Sequence, residues 1–204
     1  MRSWLLLLSV VLSCGLASAQ QGIKQVDFNN FKYPVTGPLL GHNQLHWLPL
    51  PGHSQSKTSW IHLVHGSDLT KVSSFVMDGK TYTQWEGFTL KSVQYADLNG
   101  DGNPEAIIVL HYETGGTQNT NYIYIYTLKN GKPYLLAYCY TGDRADYGLY
   151  KVYVSQGALV LDLADPAKSS GDCCSAGIVR VQYRWRDGRF EVFGPSRELL
   201  LKDE

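Results

Sequence analysis

The sequence predicts an all-β fold: a single domain of mainly antiparallel hairpins in a sandwich- or barrel-like meander, with little helix. Three observations carry this. From residue 60 onward, short runs rich in Val, Ile, Tyr, Phe and Trp alternate with Gly, Asn and Asp punctuation, the pattern of strands and tight turns. Tyrosine reaches 14 and glycine 20, whereas long Ala/Leu/Glu/Lys stretches of helical period are missing. At 204 residues the chain can bury one sizeable core and little more.

The elements follow in order. Residues 1–19, "MRSWLLLLSVVLSCGLASA", carry Arg2, an apolar run from Trp4 to Leu12 and the small-residue site Ala17-Ser18-Ala19, the layout of a secretory signal cut after Ala19. The run is shorter than the ~20 apolar residues a membrane-spanning helix needs, so no transmembrane anchor is expected. Cys14 raises lipidation as an alternative, although "VLSC" is a poor version of the small-residue pattern for it. Residues 20–59 read as an extended strap and a loop. In the strap, "VDFNNFKYPVTGP" lays Phe28, Phe31 and Tyr33 on the body, and "GHNQLHWLPLPGHSQSKTS" is Pro/Gly-punctuated.

Residues 60–204 form the β domain. Its strands are "WIHLVH", "SSFVM", "KTYTQW", "FTLKSVQYA", "AIIVLHYE", "NYIYIYTL", "PYLLAYCY", "LYKVYVSQ", "ALVLDLA", "IVRVQYRW" and "RFEVFG". Asn130-Gly131 fits a two-residue hairpin turn with positive φ. That turn sets Lys129 against Lys132, then Tyr126 against Leu135, Tyr124 against Ala137 and Tyr122 against Cys139. Ile123, Ile125, Leu136 and Tyr138 then share the other face. Both faces are apolar, so this hairpin is expected in the middle of the fold, covered on both sides. No fixed repeat period is present, which argues against a solenoid or propeller.

Lys plus Arg equals Asp plus Glu at 18 each, so no basic field exists to hold nucleic acid. Removal of the signal leaves Cys139, Cys173 and Cys174. Export permits a disulfide, and a bond between the adjacent cysteines would close a small strained ring. The expected crosslink therefore joins Cys139 to Cys173 or Cys174. A zinc site would need a CxxC or a neighbouring histidine, and neither is there.

The strongest chemical motif is "DLNGDGNPE". It sets Asp97, Asn99, Asp101, Asn103 and Glu105 at alternate positions, and Gly102 permits the sharp turn that lets such oxygens converge on a hard cation. Three carboxylates and an amide suit Ca²⁺. An EF-hand would require a bidentate Glu three residues beyond Glu105, where Ile108 stands. The other reading is a Gly-rich turn whose acidic side chains cap backbone N–H groups.

The motif resembles the aspartate-rich calcium loops between strands of FG-GAP and VCBS-type repeats. That resemblance implies side-chain ligation by Asp97, Asn99, Asp101 and Glu105 and carbonyl ligation by Asn103; Glu replaces the commoner Asp at the ninth position, and one copy is present. More widely, the string "VDFNNFKYP", "YADLNGDGNPEAIIVL", "GGTQNTNYIYIYTLKNGKPYLLA", "TGDRADYGLYKVY", "GDCCSAG" and "VQYRWRDGRFE" resembles a family of uncharacterised exported bacterial proteins. The likeness implies export and no particular reaction.

"TGDRADYGLY" places Asp143, Arg144 and Asp146 in a loop, either as a grip for a ligand or as an ion-pair network. His62 and His65 would point to opposite strand faces, and His42 and His46 lack the helix that would bring them together. No GxSxG, HExxH or phosphate loop occurs. Function is thus expected to be that of an exported, calcium-stabilised, non-catalytic β-module, secreted or periplasmic, that binds an envelope component or a glycan. The alternative is a small exported hydrolase of an envelope or environmental polymer with structural calcium, recognisable by two carboxylates facing across a cleft.

Overall fold

The structure is a computed structural model that describes residues 22–36, 46–48, 50–52, 57–116, 119–171 and 174–201. Thirteen strands occur among them: β1 (Lys32–Thr36), β2 (His46–Trp47), β3 (Thr58–His62), β4 (Ser67–Met77), β5 (Lys80–Ala96), β6 (Glu105–Thr114), β7 (Asn119–Lys129), β8 (Lys132–Asp143), β9 (Leu149–Ser155), β10 (Ala158–Ala164), β11 (Gly177–Arg186), β12 (Arg189–Val192) and β13 (Arg197–Leu200). The helices among the described residues are two three-residue 3-10 turns, Ile23–Gln25 and Pro166–Lys168. The fold is all-β, as the composition predicts.

Three antiparallel sheets stack as layers. The middle one has six strands in the order β2-β8-β7-β6-β5-β4. On one side lies the β1-β3 pair, and on the other the sheet β12-β11-β10-β9, with β13 also paired to β11. Strands β6 and β10 are buried along most or all of their length, which explains their near-continuous apolar text. The central sheet therefore has two different cores. Tyr112, Tyr122, Tyr124, Tyr126, Tyr138 and Tyr140 face Tyr33, Val35, Ile61 and Leu63 of the β1-β3 layer. Ile107, Val109, Ile123, Ile125 and Cys139 face Val152, Leu159, Leu161 and Leu163 of the second sheet.

The β7-β8 hairpin turns at Asn130-Gly131, with φ of 53° and 72°, and Lys129 faces Lys132. The predicted register holds to Tyr126 opposite Leu135 and then fails. An irregularity between Ile125 and Tyr126 admits one extra residue in β8, so Tyr124 faces Tyr138 and Tyr122 faces Tyr140, not Ala137 and Cys139. The slip moves Tyr138 to the tyrosine face, where it stacks on Tyr124 at 5.3 Å, and sends Cys139 to the aliphatic face beside Ile123. A one-residue shift exchanges faces because strand side chains alternate.

Two sequence-level boundaries also change. The runs "KTYTQW" and "FTLKSVQYA" form one strand through Gly87, whose φ of 137° and approach to the Asp68 carbonyl, 2.0 Å from an added Cβ, exclude any side chain. "RELL" near the C-terminus forms β13, and "KYPVT" of the strap forms β1.

The expected disulfide from Cys139 is overturned: Cys139 is a free, fully buried thiol. It lies beside Tyr183, which faces Leu159 at the start of β10. The 165–176 loop leaves from Ala164, five residues further along β10, or about 17 Å at the usual strand rise. A disulfide spans Cα atoms less than about 7 Å apart, so Cys174 is out of reach. Cys174 is itself exposed and disulfide-bonded. Cys14, Cys173 and the proposed signal segment lie outside the described residues. No helix among the described residues is long and apolar enough to cross a membrane.

Candidate functional site

The Asp97–Glu105 loop joins β5 to β6 at one end of the central sheet, and its conformation follows from its own side chains. Asp97 Oδ1 and Oδ2 accept the Gly100 and Gly102 N–H groups at 2.7 and 3.0 Å. Asn99 Oδ1 accepts from the Asp101 N–H and Asp101 Oδ1 from the Asn103 N–H, both at 2.8 Å. Gly100 and Gly102, with φ of 77° and 84°, supply the left-handed steps these turns require.

Glu105 is the hub. It is fully buried at the start of β6, and its Oε2 accepts the Leu98 and Asn99 N–H groups at 2.8 and 3.3 Å. Burial raises its carboxyl above the ordinary range, against the lowering effect of the Leu98 N–H, the Thr127 hydroxyl and the Asn99 N–H. The Asn99 amide nitrogen donates to Glu105 Oε1 at 2.9 Å and to Asp101 Oδ2 at 3.1 Å, so it occupies the point on which these two carboxylates converge. Among the described residues no group of three or more His, Cys, Asp or Glu side chains is arranged to hold a metal ion. The carboxylates of Asp101 and Glu105 meet, while that of Asp97 is turned to the loop backbone.

Beside this loop opens a cleft of about 410 Å³. The 3-10 turn contributes Ile23 and Gln25, the loop Asp101, Asn103 and Pro104, and β7 Thr127. Asp101 is the carboxylate among its described lining residues. Sequence reasoning found the loop but missed the cleft, because the turn at Ile23 sits some 80 positions from Asp101.

Asp143, Arg144 and Asp146 lie at the opposite end, in the corner that carries the chain from the central sheet into the second one. Arg144 Nε rests 3.5 Å from Asp143 Oδ1, an ion-pair contact rather than a hydrogen bond. Asp146 donates its N–H to the Asp143 carbonyl at 2.7 Å, and burial, then the Asp143 charge, raises its carboxyl. Arg144 and Tyr147 have φ of 37° and 57°, and added Cβ atoms at Gly142 and Gly148 would meet backbone at 1.9 and 2.4 Å. The three residues are together, in a corner shaped by close backbone contacts.

The hairpin of "SSFVM" and "KTYTQW" across Asp78-Gly79 is legible in the sequence and is present, but its projection as a β4-β5 arm is not legible there. Strand β5 begins to pair with β6 at Glu86, so among the described residues Lys80–Trp85 and Lys71–Met77 pair only with each other, a ribbon of about 20 Å beyond the sheet. Its root is fixed by the Tyr112 hydroxyl, which donates to Glu86 at 2.7 Å. Six of the thirteen large exposed hydrophobic side chains among the described residues lie on it: Val72, Phe75, Val76, Met77, Tyr82 and Trp85. Phe75 and Tyr82 stack at 5.6 Å. The available signal was the consecutive Phe75-Val76-Met77, since adjacent strand residues show on both faces.

Compared with known protein families, with curated proteins and with solved structures, the chain shows no match.

Proposed function

We propose that this chain is an exported, non-catalytic β-module whose work is binding, through the β4-β5 arm, and whose Asp97–Glu105 loop is clamped by one Ca²⁺. The arm carries the reading. Exposed apolar side chains scattered singly over a surface need no explanation, but six gathered on the one hairpin from Lys71 to Trp85 mark a contact surface. The loop carboxylates hold backbone N–H groups, and the buried Asp162 takes Arg180 in a two-point bond at 2.7 and 2.9 Å, which supports a structural role for them. Export rests on the leader-like residues 1–19, and an envelope component or glycan is the material an exported chain would meet.

The calcium proposal rests on the donor set. Asp101 Oδ2 and Glu105 Oε1 already share one point, held by the Asn99 amide nitrogen, and rotation of that amide would offer an oxygen there instead. Asp97 and the Asn103 carbonyl would complete the set. Bound Ca²⁺ would neutralise the repulsion among three crowded carboxylates and tie β5 to β6.

Two measurements test this. Capture from a native envelope fraction, with and without Ca²⁺, should depend on the arm and be lost in Phe75→Ser/Met77→Ser; equal capture by that variant sinks the arm as the binding surface. Thermal melts should rise by about 5 to 10 °C at Ca²⁺ a hundredfold above its dissociation constant, corresponding to ~2.7 kcal/mol, and Asp101→Ala should abolish the response. A wild-type melt indifferent to millimolar Ca²⁺ and to chelator leaves the loop a capped turn.

A further inference from the structure

We propose that the outer edge of β4 pairs with the same edge of a second copy of this chain, antiparallel about a twofold axis near Ser74. The proposal rests on the reading of the arm as a contact surface and names its occupant.

Strand β4 is the last in the central sheet, and beyond Ser67, which pairs with Val64, one side of its backbone has no strand partner among the described residues. Natural edge strands are protected by proline, charge, brevity or a bulge. Here the protection stops at the root. Asp68 and Lys71 carry the strand's charges and the irregularity lies between Lys71 and Ser73, whereas Ser73–Met77 is regular, uncharged and free of proline. This is also the segment that extends beyond the body of the sheet. A two-stranded ribbon is marginal in water, and one that displays Phe75, Met77 and Tyr82 on one face and Val76 on the other lacks a neighbour.

Charge selects the occupant. A lipid surface would be met first by the tip, Asp78-Gly79-Lys80, which sets two charged residues ahead of the apolar ones. An antiparallel copy instead lays root against tip. With the axis near Ser74, Lys71 of each chain falls within about one residue of the partner's Asp78, giving two symmetric opposite-charge contacts around an apolar centre. Both open edges are then satisfied by one isologous contact, and the central sheets of the two copies join into one.

Sedimentation equilibrium of the full chain over a range of concentrations tests the pairing. Wild type should dimerise, and Val76→Lys should weaken the dimer by about tenfold or more, because each added lysine puts a charge in the apolar stretch of the shared edge. Val76 is 71% exposed, so the variant should keep the wild-type circular dichroism and melting temperature. Lys71→Asp and Asp78→Lys should each weaken the dimer, and the double exchange should restore it. That rescue is specific to root-against-tip pairing. A wild-type monomer at hundreds of micromolar, or a dimer indifferent to all four variants, overturns the proposal. A monomer that still captures envelope material through the arm overturns the pairing alone, whereas a dimer lost in Val76→Lys with no arm-dependent capture sinks the envelope-binding reading alone.

Discussion

The two faces of the central sheet solve one burial problem in different ways. The aliphatic face, Ile107, Val109, Ile123 and Ile125, is covered by a complete second sheet. Among the described residues the tyrosine face is covered by a two-stranded layer, the 3-10 turn with Val26, Phe28 and Phe31 after it, and Leu48 and Leu50. A large ring covers much of its neighbour, so a sheet faced with tyrosine needs less lid: Tyr33 packs on Tyr124 at 5.0 Å, and Phe31 meets Tyr126 edge-on at 5.3 Å. Each buried hydroxyl must then find a partner, and these partners fasten the lid. Tyr33 donates to the Phe28 carbonyl at 2.8 Å and Tyr124 to the Pro34 carbonyl at 3.1 Å, while Tyr138 bonds Thr36. The aliphatic face is held mainly by area, with the Gln94 amide donating to the Val152 carbonyl at 3.0 Å, and the tyrosine face by area together with several directed bonds.

Alkaline titration should separate the two faces most sharply. Burial raises the phenols of Tyr33, Tyr122, Tyr124 and Tyr126 far above their ordinary value of 10, whereas in the unfolded chain they ionise near it. A group whose folded pKa is raised lends stability that is complete below the unfolded pKa and is lost as pH climbs toward the folded one. Each such tyrosine should therefore cost up to ~1.4 kcal/mol per pH unit above pH 10, and the four together about 4 kcal/mol between pH 10 and 11. The aliphatic face contributes two comparable groups, the Cys139 thiol and the Tyr183 phenol, the latter pushed up to about 12, both by burial. Absorbance at 295 nm should show phenolate appearing in step with loss of circular dichroism. Phenolate of these residues formed gradually while the fold persists contradicts their burial.

Leu161→Ala should come next. Leu161 is fully buried at the middle of β10, and shortening it leaves a cavity against the central sheet worth about 2 to 5 kcal/mol in urea unfolding. Tyr124→Phe should cost less, about 1 to 2 kcal/mol, by leaving the Pro34 carbonyl without its donor while the ring still packs. If Tyr124→Phe matches Leu161→Ala, the lid is held by its bonds more than by its area; if it is silent, ring packing alone suffices.

Alternation, turn residues and composition were enough to read most of the strands and the all-β class, because these are local consequences of steric preference and patterning. Asn130-Gly131 fixed its turn for the same reason, and Lys129 to Tyr126 followed in register. Beyond Tyr126 the sequence misled, because a β-bulge is set by what packs on each face. Moving one residue puts five tyrosines together and Cys139 among aliphatics, a gain that appears only once the covering layers exist. The pairing of Cys139 failed by the same route, since three thiols say nothing of where the sheets place them. Likewise "DLNGDGNPE" announced its turns and its donor set, whereas the burial of Glu105 against Thr127 and the cleft beside Asp101 depend on β7 and on the turn at Ile23. The sequence by itself determined the strands, the turns and the chemistry of one loop. Tertiary structure decided which faces meet, which thiol stays free and which hairpin stands clear of the body, because these depend on contacts between residues far apart in the chain, to which no local pattern is sensitive.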